Sequence, residues 1–112
     1  IPHVTVWKHG EVPDSLHYGT NPRTLDFILV ADSAWQFTLT GKVPHSAGAH
    51  GYNPYNTDMH AIFYAKGPAF KVGFKHPTFE NINIYPLICH ILDINPAPVD
   101  GHIENVRKML KD

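Results

Sequence analysis

The chain has 112 residues, 43% of them hydrophobic and 17% charged, with a formal net charge of -1. That balance allows one compact core and excludes a charged disordered tail. Lysine and arginine are scattered rather than striped, which leaves no nucleic-acid-binding surface. No apolar run approaches the roughly 18 residues of a membrane span; the longest, residues 25–34, is interrupted by Asp26 and Asp32. The first residue is Ile1 with no signal peptide before it, so the start reads as a processing site or an expression boundary. A lone Cys89 rules out an internal disulfide, and its setting beside Leu87 and Ile88 marks a buried, inert thiol.

Val4-Thr5-Val6-Trp7 alternates and is rich in β-branched residues, which predicts a short strand broken by Pro13 and Asp14. A loop follows through residues 18–22. Residues 25–31 form a nearly continuous apolar run, as expected of a strand buried on both faces. Residues 35–40 alternate Trp35, Phe37 and Leu39 with Gln36, Thr38 and Thr40, which predicts a half-buried strand hairpinned to its predecessor through Asp32-Ser33. Trp7 and Trp35 are assigned to the core.

Residues 41–58 are the least regular stretch, and a loop this long inside a compact domain is functional or disordered. Strand character resumes over 59–65, with Ala61, Phe63 and Ala65 on one face, and Gly67-Pro68 ends it. From Asn81 the period changes. Ile82, Tyr85, Ile88 and Leu92, with Ile84, Leu87 and Ile91, predict an amphipathic helix that starts near Asn81 or Asn83 and stops before Pro96. Pro86 falls near its first turn, where a missing N–H is tolerated. Residues 95–98 read as an extended linker, and 102–110 as a last helix presenting Ile103, Val106, Met109 and Leu110.

Nine histidines stand above ordinary usage, but dispersed copies do not make a metal site. The strongest local signal is Gly48-Ala49-His50-Gly51-Tyr52. A histidine between glycines lies on backbone that turns sharply, leaving the imidazole free to reach a metal or a phosphate; the alternative is a loop histidine capping a turn. His45 lies five residues earlier, yet no third or fourth ligand stands at supporting spacing. His60, after Asp58 and Met59, either lines a pocket or marks a strand entrance, and His17 packs or caps a turn. Asp100, Gly101 and Glu104 have the form of a helix N-terminus. Ser15, Ser33 and Ser46 lack an elbow motif, so no Ser-His-Asp arrangement is supported.

A wider set of segments carries a resemblance. Gly48-Ala49-His50-Gly51-Tyr52, Asp58-Met59-His60-Ala61-Ile62-Phe63, Gly67-Pro68-Ala69-Phe70-Lys71, Phe79-Glu80-Asn81-Ile82, Ile84-Tyr85-Pro86-Leu87-Ile88-Cys89 and Pro96-Ala97-Pro98 together resemble nucleotide pyrophosphatase/phosphodiesterases of the alkaline phosphatase superfamily. Val6-Trp7-Lys8, Leu16-His17-Tyr18-Gly19 and Val30-Ala31-Asp32 extend the likeness over nearly the whole chain.

The resemblance implies an α/β fold: a C-terminal fragment of an alkaline-phosphatase-like architecture, short strands followed by two C-terminal helices. Residues 1–112 would form a single C-terminal segment of a type I phosphodiesterase/nucleotide pyrophosphatase catalytic domain. It implies a site of two zinc ions, with His50 as one ligand and the other ligands upstream, and a threonine nucleophile. None of Thr5, Thr20, Thr24, Thr38, Thr40, Thr57 and Thr78 lies in the nucleophile motif, so no catalytic residue is assigned here. It further implies a nucleotide or other phosphodiester substrate, an upstream catalytic part as partner, and a secreted, periplasmic or membrane-anchored ectodomain. One departure stands out: where family members usually have Asp-Asn, this chain has Asn53-Pro54, with the spacing from His50 to Met59 unchanged. The competing readings are a metal- or ligand-binding module using His45, His50 and His60 without turnover, and a phosphomonoesterase of the same superfamily.

Overall fold

The computed structural model describes residues 1–39, 41 and 48–111. They fall into two compact units, Ile1–Ile62 and Phe63–Asp112. His45 and Thr40 lie outside the described residues.

The first unit is built on an antiparallel pair, β1 (Val4–Lys8) and β2 (Phe27–Ala31), in register from Val4 opposite Ala31 to Lys8 opposite Phe27. β-Branched residues on both strands suit this pairing, because branched side chains pack across a pleated surface. The His9 N–H continues the pairing by donating to the Asp26 carbonyl at 2.9 Å. In the connection, Val12 is buried beneath Gly19. Gly19 has φ +99, and a Cβ there would stand 2.6 Å from Val12 Cγ2, so both dihedral and space require glycine.

Four expectations fail over residues 25–65. β2 is not buried on both faces: Phe27 is 58% and Leu29 45% exposed, because the sheet has only two strands among the described residues. β2 does not hairpin forward; its partner is β1, and residues 35–39 form no strand. The chain instead turns at Asp32, whose carbonyl accepts from the Trp35 N–H at 3.0 Å, with Ala34 left-handed at φ 68. Trp35 is therefore not core. It is half exposed, with its ring stacked on His3 at 3.9 Å and an interplanar angle of 6°. Residues 59–65 likewise form no strand: a 3-10 turn covers Thr57–Met59, and Ile62 and Tyr64 stay exposed. Alternation makes a strand possible, but without a neighbouring ladder the backbone groups stay with water.

The second unit holds a core of Leu87, Val106, Met109 and Leu110, with Phe70, Phe79 and Ile103 packed against it. A 3-10 turn, Asn81–Asn83, leads into α1 (Ile84–Ile91), and Pro86 occupies its first turn as expected. The helix stops well before Pro96. Asp93 is left-handed at φ 54, its N–H donates to the His90 carbonyl at 3.3 Å, and the Ile94 N–H donates to the Cys89 carbonyl at 2.9 Å. That is a Schellman stop with aspartate in the position usually given to glycine. The buried stripe is Pro86, Leu87 and Cys89, while Tyr85, Ile88 and Leu92 are exposed, so the face differs from the one the period predicted. Cys89 is buried, as its apolar setting implied.

The second C-terminal helix is replaced by two 3-10 turns, Ile103–Asn105 and Arg107–Met109. Val106 between them takes φ -129, outside the helical region, and Leu110 extends to pair with Phe70. The Lys71 N–H donates to the Met109 carbonyl and the Lys111 N–H to the Ala69 carbonyl, both at 2.9 Å, which holds the tail extended. Asn83, only 2% exposed, joins the start of α1 to the segment at residues 102–105. Its Oδ1 accepts from the His102 N–H at 2.8 Å and from Asn105 Nδ2 at 3.2 Å, and its Nδ2 donates to the Glu80 carbonyl at 3.0 Å. Gly101 lies so close to Ile82 that a Cβ would collide with its carbonyl oxygen.

Candidate functional site

The site belongs to the first unit. Gly48, Ala49 and His50 are exposed, and Gly51 takes φ +90 with open space where a Cβ would project. The dihedral, not crowding, calls for glycine there, and the chain bends at Tyr52. His50 makes no hydrogen bond, ion pair or ring contact with another described residue. The turn-capping alternative for this histidine thus has no bond to support it among those residues.

Two asparagine turns follow in tandem. Asn53 Oδ1 accepts from the Tyr55 N–H at 2.9 Å, and the Asn53 carbonyl accepts from the Asn56 N–H at 3.0 Å. Pro54 sits second in this turn, where its fixed φ is already suitable. The departure Asn53-Pro54 is therefore compatible with the turn: asparagine supplies the side-chain acceptor that aspartate would supply. Asn56 repeats the pattern, its Oδ1 accepting from the Asp58 N–H at 3.0 Å. Its Nδ2 donates to Ser33 Oγ at 2.6 Å, and Tyr55 Oη donates to the Ser15 carbonyl at 3.4 Å.

Between these segments lies an open cleft of about 450 Å³, lined among others by Ser33, Gln36, Ala49, Tyr52, Asn56 and Asp58. Ala49 and Tyr52, on either side of His50 and Gly51 in the chain, belong to the lining, while His50 itself does not. The lining is mainly polar in type, with no convergence of charged groups. Among the described residues, no three His, Cys, Asp or Glu side chains come together in a way that could hold a metal.

The other candidates disperse. His17 is left-handed at φ 48 and its N–H donates to the Asp14 carbonyl, closing a 3-10 turn, so its backbone caps a turn. His60 ends the Thr57–Met59 turn and is exposed, with no strand beyond it. Glu104 starts the Ile103–Asn105 turn and pairs with Arg107 at 3.4 Å, rather than opening a helix. Sequence reasoning missed the Asn56–Ser33 pair. Asn56-Thr57-Asp58 has the form of a side-chain-capped turn, but a partner 23 residues away leaves no local signal.

Residues 1–53 match the family model for type I phosphodiesterase / nucleotide pyrophosphatase, a stretch that ends just after His50-Gly51-Tyr52. The chain belongs to the nucleotide pyrophosphatase/phosphodiesterase family. It is 38% identical over 109 residues to human ectonucleotide pyrophosphatase/phosphodiesterase family member 5, covering 97% of this chain and 23% of that protein. It is 37% identical over 111 residues to the human bis(5'-adenosyl)-triphosphatase ENPP4, covering 99% of this chain and 24% of the relative. The solved human member 5 superposes with a TM-score of 0.92 at 38% identity, over 100% of this chain and 30% of that one. A murine member 5, solved as an inactive variant in complex with AMP, gives 0.90 at 34% identity, over 99% of this chain and 30% of that one. The chain therefore spans about a quarter of the length of the curated relatives it matches.

Against the zinc that the resemblance implies, His50 fits as one ligand. Its imidazole is exposed, unengaged by other described residues, and directly follows Ala49 of the cleft lining. The described residues bring no second and third ligand to it.

Proposed function

We propose that the complete protein hydrolyses phosphodiester or pyrophosphate bonds of nucleotide-type substrates. In this reading His50 supplies one zinc ligand, while the remaining ligands and a threonine nucleophile come from sequence outside this chain. The observation that carries it is the His50 imidazole, unengaged by other described residues on a Gly-flanked loop, inside the stretch that matches the family model. The name of one relative, a bis(5'-adenosyl)-triphosphatase, and the AMP complex of another support a nucleotide as the substrate class.

Zinc bound there would lower the pKa of a nucleophilic hydroxyl and offset charge on nonbridging phosphate oxygens. The task of this chain is narrower. His50 must offer a neutral ring nitrogen in a fixed direction, and the tandem asparagine turns hold the backbone on its C-terminal side. One ligand does not hold a catalytic zinc, which takes about three from protein. The 112-residue chain alone is accordingly expected to be inactive. The rest of the same protein is its partner, and the relatives' ectonucleotide names support an extracytoplasmic setting. Among the described residues, no helix is long and apolar enough to cross a membrane.

The test is hydrolysis of a chromogenic phosphodiester, with added zinc, by the complete protein, its His50→Ala variant and the chain alone. The complete protein should turn over diester in preference to monoester. His50→Ala should lose more than about 100-fold, since even supporting residues around a metal cost 10–100-fold. The chain alone should give nothing. Turnover by the chain alone, or an unimpaired His50→Ala enzyme, would overturn the reading.

A further inference from the structure

We propose that Asn56 is the positioning residue for His50, acting through one carboxamide that pins the loop to the turn at Ser33. The inference rests on the reading of His50 as a metal ligand and goes beyond it, because it assigns a role to residues that touch no metal.

The two walls of the cleft are surface segments with little apolar burial, so polar bonds must hold them. One wall is anchored. The Asp32 N–H donates to the His3 carbonyl and the Trp35 N–H to the Asp32 carbonyl, each at 3.0 Å, so the Ser33-Ala34 turn is tied to the end of the β1–β2 pair. His3 adds a stacked ring on Trp35, and its Nδ1 lies 3.4 Å from Asp32 Oδ2. The other wall is formed by Gly48, Ala49 and Tyr52, the segment that contains His50. Gly51 gives that segment backbone freedom, and the Asn53 turn ties residues 53 and 56 together.

Asn56 connects the walls. Its Oδ1 is committed to the Asp58 N–H, and its Nδ2 spans to Ser33 Oγ at 2.6 Å. Asn56 is half-buried while Thr57 and Asp58 beside it are exposed. Serine or threonine could cap the turn but is too short to span as well, and alanine could do neither. Cutting the pin leaves the imidazole attached to a loop that must be ordered upon metal binding, and that ordering cost appears as lost affinity.

The experiment uses the complete protein and measures the zinc dissociation constant by competition with a chromophoric chelator. The melting temperature of the zinc-free protein is followed in parallel. Asn56→Ala and Ser33→Ala should each weaken zinc binding about 10-fold or more, the scale of supporting residues around a metal. The zinc-free melting temperature should stay nearly unchanged. The double variant should be no weaker than Asn56→Ala alone, because Ser33→Ala cuts only a bond that Asn56→Ala has already cut. Asn56→Asp should restore most of the affinity, since a carboxylate accepts from the Asp58 N–H and from the Ser33 hydroxyl. Wild-type affinity in Asn56→Ala beside a crippled His50→Ala overturns the proposal alone, as do additive effects of the two single changes. Unchanged zinc affinity in His50→Ala overturns the ligand reading and this proposal with it. Should Asn56→Ala fail to fold, Ser33→Ala decides by the same measurement.

Discussion

The two units of the chain are held by different means. The second encloses Leu87, Val106, Met109 and Leu110 and closes its ends with a buried asparagine. In the first, Val12 is the one buried apolar side chain among the described residues, and Phe27, Leu29, Trp35, Phe37 and Leu39 face outward. Yet the first unit carries the candidate ligand. A unit with a core fixes its loops by packing, whereas a unit without one relies on turns, strand pairing and side-chain hydrogen bonds. Each net hydrogen bond contributes only about 1 kcal/mol, against several for a filled core position. The His50 loop is thus supported by polar pins, and the second unit by volume.

The largest effect should separate the units directly. Leu87→Ala should cost about 2–5 kcal/mol, while Leu29→Ala, at a half-exposed position, should cost about 1 kcal/mol or less. Urea unfolding of the complete protein reads both, and equal costs would break the contrast. Next comes Asn83→Ala, which strands the His102 N–H and the Glu80 carbonyl in a buried place and should cost about 1–3 kcal/mol by the same measurement. A neutral result would mean that packing alone closes the second unit. The smallest effect has the opposite sign. Asp93→Gly should stabilise by up to about 1 kcal/mol, because glycine takes the left-handed stop at no steric cost; a fall in melting temperature would show that the aspartate side chain holds the stop.

Much of the local structure was legible. The Val4–Trp7 alternation gave a true strand, Pro86 marked the first turn of α1, and the Leu87-Ile88-Cys89 setting predicted a buried thiol. The residues that resemble the family were also readable, and the family follows from them. What failed has one cause in common. Residues 35–39 and 59–65 have strand-like alternation but no ladder partner, and 102–110 has helical spacing but a break at Val106 that lets Leu110 reach Phe70. Pattern states which face a segment could bury, and partners decide whether it does.

The sequence by itself determined where the backbone is constrained, at Gly51 by its positive φ, at Pro54 in a turn and at Pro86 in the first turn of α1, because dihedral limits belong to single residues and travel with them. It also determined that an imidazole would stand directly before the glycine at position 51. Only the tertiary structure decided that β1 and not residues 35–39 pairs with β2, that α1 ends at Ile91, and that Asn56 reaches Ser33. Each of these depends on two segments meeting in space, and the free energy of that meeting resides in neither segment alone.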